Sequence, residues 1–196
     1  MKNQDPNQEH LQSIINLYTQ GQLQQALSEA TQMLEGFPNS VVLYNIAGAS
    51  NAGLMQFDAA IDSYKQALKI KPNYAEAYNN MGVALKEKGD LDAAIDSFKQ
   101  ALKIKPDYAE AYNNMGTILK DKGDLDAAIT IYKKALKIKP DYAEAYRNLS
   151  TINRYKEHDE HFLKMQSLCQ SSSISDEQRC HLNFALSKAS EDLNEV

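Results

Sequence analysis

The sequence predicts an all-α solenoid of helix-turn-helix hairpins, stacked into a right-handed superhelix with a concave side. Three observations predict it. Pro38, Pro72, Pro106 and Pro140 are spaced 34 residues apart. Residues 74–107 and 108–141 are identical at 27 of 34 positions, which marks a duplicated unit. Inside each unit, apolar residues recur at helical spacing in two separate runs. One helical pair cannot bury both of its apolar faces, whereas stacked pairs can.

Taken in order, residues 7–40 read as a degenerate first repeat that keeps Leu17, Gly21 and Ala26. Residues 41–74, 75–108 and 109–142 read as clear repeats. In the middle one, Tyr78, Met81, Gly82 and Leu85 mark the first helix. Leu91, Ala94, Ile95, Phe98, Ala101 and Leu102 mark the second. Gly89 ends the first helix and Asp90 caps the second. Lys99, Lys103 and Lys105 crowd the second helix's end, where the helix dipole favours cations, and Pro106 stops it. Asn73 with Glu76, Asp107 with Glu110, and Asp141 with Glu144 predict capping boxes at the following helices. Gly48, Gly82 and Gly116 are expected where two helices approach closely, with Ala60, Ala94 and Ala128 facing them. Tyr64, Phe98 and Tyr132 are expected to pack towards the next repeat.

Beyond Pro140 the pattern decays. Residues 143–170 read as a degenerate repeat. Its first helix spans 142–155 through Tyr146 and Leu149, with Ser150 in the glycine's place. Its second lies near 158–170, with Phe162 where alanine is expected. The SSSIS run at 171–175 is a polar loop. A terminal helix spans 176–193, apolar at Leu182, Phe184, Ala185, Leu186, Ala189 and Leu193. An atypical outer repeat is expected to cap the stack.

The formal net charge of -5 speaks against a general nucleic-acid binder, which needs clustered Lys and Arg. No apolar run approaches the roughly 20 residues of a membrane helix, and MKNQDPNQEH lacks a signal peptide's apolar stretch. A cytoplasmic protein is therefore expected, with Cys169 and Cys180 as free thiols. His158, His161, Cys180 and His181 are loosely spaced and match no metal motif, so neither metal nor cofactor is expected. Ser172, Ser173, Asp176 and His181 lack a nucleophile elbow. Asp90 and Asp92 read as helix-start residues, and Tyr44, Tyr78, Tyr112 and Tyr146 as packing residues. No catalysis is expected.

Tyr78, Met81, Gly82, Ala94, Phe98, Ala101 and Pro106 resemble the signature positions of the tetratricopeptide-repeat (TPR) family. Tyr112, Met115, Gly116, Ala128, Tyr132, Ala135 and Pro140 repeat the match, and Tyr44, Gly48, Ala60, Tyr64, Ala67 and Pro72 repeat most of it. The resemblance implies a scaffold that holds a protein or extended peptide on its concave first helices. In that register Asn79, Asn80 and Val83, Asn113, Asn114 and Thr117, and Arg147, Asn148 and Thr151 are expected in the groove. Lys86, Lys120 and Arg154 follow one turn later. Asn80, Asn114 and Asn148 resemble the asparagine ladder of O-linked N-acetylglucosamine transferase arrays, and Ile46 interrupts it. A carboxamide both donates and accepts, so it can pair with peptide backbone of any sequence. Glu76, Glu110 and Glu144 stand where a two-carboxylate clamp wants lysine, so that mode is not expected.

Residues 150–193, HLNFALSKASEDL above all, resemble the segment that joins TPR arrays to sulfotransferase domains in some bacterial proteins. This implies an alternative, an excised docking or substrate-presenting module of a larger transferase. A second alternative is self-assembly, if the terminal helix leaves Phe184, Leu186 and Leu193 exposed.

Overall fold

In the computed structural model, which describes residues 5–193, the described chain is helical throughout. It forms two compact units, one through Pro106 and one from Asp107. The first unit holds α1 (Gln8–Thr19), α2 (Leu23–Gly36), α3 (Val41–Gly53), α4 (Phe57–Ile70), α5 (Ala75–Lys88) and α6 (Leu91–Ile104). The second holds α7 (Ala109–Asp121), α8 (Leu125–Ile138), α9 (Ala143–Ser150), α10 (Glu160–Cys169) and α11 (Asp176–Asp192). In both, consecutive helices pack as antiparallel hairpins, α3 on α4, α5 on α6 and α7 on α8.

Side-chain size sets the distance within each hairpin. Ala60, Ala94 and Ala128 are fully buried at the crossings. A Cβ built on Gly48, Gly82 or Gly116 would stand 2.6, 2.7 or 2.8 Å from the ring of Tyr64, Phe98 or Tyr132. The three rings therefore lie over the glycine of their own hairpin, and Tyr64 also clusters with Ala84 of the next repeat, as expected. A ring is flat and wide, so it seats where the opposing backbone carries no side chain.

Helix ends follow local chemistry, with one correction. Asp90 and Asp124 each accept from an amide three residues on, Ala93 and Ala127, at 3.3 Å. The predicted capping boxes do not form. Tyr74, Tyr108 and Tyr142 occupy the N-cap positions without a side-chain cap bond. The carboxylates meant for the boxes bond elsewhere: Glu110 accepts from Lys139 at 3.0 Å and Glu144 from Asn113 at 3.3 Å. Partners in another helix have won over the local cap. Among the described residues, the one full capping box lies at Ser175 and Gln178, ahead of α11.

The loop between the two helices of each hairpin needs one left-handed residue. Gly21, Gly89 and Gly123 supply it with φ of 76°, 93° and 82°. One period after Gly21, the same place is taken by Met55 with φ 61°, its side chain 76% exposed. An L residue there is strained and this one gains little by burial. Met55→Gly is expected to raise the unfolding free energy by about 0.5–1 kcal/mol, net of glycine's extra unfolded-state entropy. Urea unfolding would check it, and a loss of stability would show that the thioether packs after all.

The end of the chain departs from the predicted hairpin. α9 stops at Ser150, so Thr151 and Arg154 lie beyond it. α10 barely touches α9, and α11 packs on α9 instead. The cause is an exchange of sizes. Phe162 stands one period after Ala128, and Gln166 one period after Tyr132. A ring thus stands where close approach needs a small residue, and no ring is left to seat over residue 150. α11 closes the gap with Leu182, Ala185 and Ala189, all buried. The terminal helix is thus partnered, Leu186 and Leu193 are half-buried, and only Phe184 is exposed, at 39%.

Candidate peptide-binding surface

In the first unit, α1, α3 and α5 share one face. Two adjoining hollows of about 290 and 300 Å³ open on it and share Tyr18, Ala49 and Asn80. Ile15, Asn45 and Ile46 complete one, Val83 and Glu87 extend the other. The surface is an apolar floor with amides set into it. Asn80 donates to Asn45 Oδ1 at 3.3 Å, across one repeat, and accepts from Asn79 at 3.3 Å. A side-chain amide has two N–H donors and an oxygen with two lone pairs, so these bonds leave capacity for a ligand.

Asn45 is not among the expected residues, because Ile46 stands at the ladder position. Ile46 is buried. The amide that serves Asn80 comes from the residue before it, and Asn45, Asn79 and Asn113 do recur at the same period.

In the second unit Asn148 donates to Asn113 Oδ1 at 3.0 Å, the same diagonal step. Asn113 passes the connection on to Glu144, whose other oxygen accepts from Tyr142 at 3.4 Å. Lys139 lies over the Tyr142 ring at 4.7 Å. Burial first, then the carboxylates of Glu144 and Glu110, push the Tyr142 phenol well above its ordinary range. It therefore stays a donor.

Two expected groove residues are corrected. Asn79 and Asn113 are 7% and 1% exposed. They orient Asn80 and Asn148 from below and do not face outward. Asn80, Val83, Lys86, Asn114, Lys120 and Asn148 are half-buried, and Arg147, Thr151 and Arg154 are exposed. The Thr117 hydroxyl donates to Asn113 O and accepts from Tyr132 at 3.1 Å, so it is engaged within its hairpin. Burial pushes the Tyr132 phenol up to about 12, and the bond to Thr117 works in the opposite direction. Arg147 spreads over the Phe184 ring at 5.4 Å, which ties α9 to α11. Lys86 pairs with its neighbour Glu87 at 2.9 Å. Thr151 and Arg154 line a separate hollow with Lys188 and Asp192.

Hairpins of this construction, with first helices carrying amides on a shared face, define a helical-repeat scaffold. The repeats are tetratricopeptide repeats: residues 56–89, 84–123 and 116–150 match the family described as TPR repeat. Among solved structures, the chain is similar to MamA at 24% identity, over 92% of this chain and 94% of that one, with a TM-score of 0.64. It is similar to PilF of Pseudomonas aeruginosa at 19% identity, over 95% and 85%, with a TM-score of 0.74. It is similar to YrrB, described as a TPR protein with an unusual peptide-binding site, at 20% identity, over 93% and 94%, with a TM-score of 0.60. At these identities the likeness is one of fold. A comparison with curated proteins gives no match. Among the described residues no helix is long and apolar enough to cross a membrane.

Proposed function

We propose that this chain is a non-catalytic scaffold that holds an extended peptide on the first-helix face of its repeats. One observation carries the reading: the α1, α3 and α5 face of the first unit combines an apolar hollow with the paired amides of Asn45 and Asn80. An extended backbone offers a donor and an acceptor at each residue. Pre-oriented carboxamides match those groups, while Ile15, Tyr18, Ala49 and Val83 give side chains a place to bury. Asn79 and Asn113 act as positioning residues.

The test is a screen of extended peptides of about eight residues, roughly 27 Å long, followed by titration of the best binder. Asn80→Ala is expected to weaken binding by about 0.5–1.5 kcal/mol, the scale of one hydrogen bond. Helical content and thermal midpoint should stay unchanged. Affinity that is unaltered in Asn80→Ala and in Asn45→Ala would remove the reading. Asn148→Ala is a poorer probe, because it strips the buried Asn113 oxygen of its partner.

The resemblance of residues 150–193 to the segment preceding sulfotransferase domains supports a second reading, a docking arm of a larger transferase. In that reading α11, which packs on α9, is the last element of the array. The reading frame downstream of Val196 decides it, and an immediate stop codon ends it.

A further inference from the structure

The displacement of α10 has a second effect, on the side of the second unit formed by second helices. Because α10 stands off from α9, and spans 10 residues where α8 spans 14, a groove opens between α8 and α10. It has a volume of about 920 Å³. Its floor is apolar, made in part by Leu136, Pro140 and Leu163. Leu163 lines the groove and is 55% exposed. Lys133 and Lys137, one turn apart on α8, stand on one wall and Lys164 on the other. No ion pair engages these lysines among the described residues. Glu160 is the one acid in the lining. In a chain of net charge -5, this groove is locally cationic.

We propose that the α8/α10 groove docks an acidic amphipathic helix of a partner protein. The apolar floor wants an apolar stripe, and the lysines on both walls want carboxylates flanking it. The volume suits roughly two turns of helix, taking a diameter of ~10 Å and a pitch of ~5.4 Å. The one-turn spacing of Lys133 and Lys137 meets acids at i and i+4 of such a helix. This is the helix-in-groove mode, and it is independent of the amide face.

The probe is a synthetic amphipathic peptide of about four turns, with leucine at i, i+3 and i+7 and glutamate on both flanks. Its twin carries lysine for every glutamate. Fluorescence anisotropy with the full chain is expected to show the acidic peptide binding at least about tenfold tighter than the twin, and less tightly as salt rises. Leu163→Asp, an exposed position, is expected to weaken the acidic peptide at least about tenfold. Lys164→Glu should do so by a similar factor without touching the floor, and Asn80→Ala should leave it unchanged. Equal binding of the two peptides, binding of neither, or wild-type affinity in both variants would overturn the proposal. So would sedimentation showing a dimer of the chain alone that Leu163→Asp dissolves, since the occupant would then be a second copy.

Discussion

Gly82→Ala is expected to lower the unfolding free energy by about 1–3 kcal/mol, the usual scale of overpacking a core. On helix propensity alone it would gain up to about 1 kcal/mol, so the sign of the change is itself the readout. The new Cβ would sit 2.7 Å from Cε1 of Phe98, a ring with no exposed surface and no open side to move towards. Gly116→Ala should behave alike, 2.8 Å from Tyr132, with the added risk to the bond between that phenol and Thr117. Gly36→Ala is the control, since nothing lies within 4 Å of a Cβ there. Trimming the ring should rescue: Phe98→Leu with Gly82→Ala is expected to lose less than the two single changes summed. Denaturant titration of the five variants, Phe98→Leu alone among them, checks this. A neutral or stabilising Gly82→Ala would show that ring and glycine do not set the hairpin spacing.

Alkali is expected to unfold the protein steeply. Burial, the largest cause in each case, raises the phenols of Tyr132 and Tyr146 from 10.0 to about 12. It also pushes up Tyr64, Tyr142 and Tyr155. In the unfolded chain these phenols ionise near 10.0, while in the folded chain they keep their protons. Their contribution is therefore complete below pH 10 and is lost as pH rises through about 12. Each can lower stability by up to about 1.4 kcal/mol per pH unit in that window. The five together draw on a typical reserve of about 5–15 kcal/mol, each by less than that limit because solvent screens the partly exposed phenols. Far-UV circular dichroism and phenolate absorbance, followed from pH 10 upward, should change together. Phenolate appearing with an ordinary midpoint while the helices persist would contradict the burial of these rings.

The parts of this architecture that repeat were legible in the sequence, because each repeated residue has a local reason. Gly89 bends left, Asp90 caps, and Pro106 stops a helix whatever lies around them. Each glycine and each ring could be placed, and the packing of Tyr64 towards the next repeat with them, but the seating of ring on glycine within one hairpin could not. What escaped was decided between helices. Asn79 and Asn80 differ by about 100° of rotation on one helix. Which of them faces outward depends on the tilt of the neighbouring repeat, which composition does not encode. Glu110 and Glu144 fit a capping box by spacing, yet Lys139 and Asn113 from other helices claim them. Phe162 was visible as an anomaly in the sequence. Its consequence, the transfer of α9 from α10 to α11, follows only once volumes compete for one crossing point. Asn45 escaped because Ile46 holds the ladder position of its repeat, although Asn45 shares the period of Asn79 and Asn113.

The closing arrangement of α9 and α11 also bears on how such a chain can grow. Lengthening by gene duplication needs a unit whose two ends are interchangeable, and the segment 74–107 is of that kind. Residues 143–192 are not: Leu182 occupies the register of the ladder amide and is buried against what precedes it. New units in this lineage are therefore expected to enter among residues 41–142, where each repeat meets like edges on both sides.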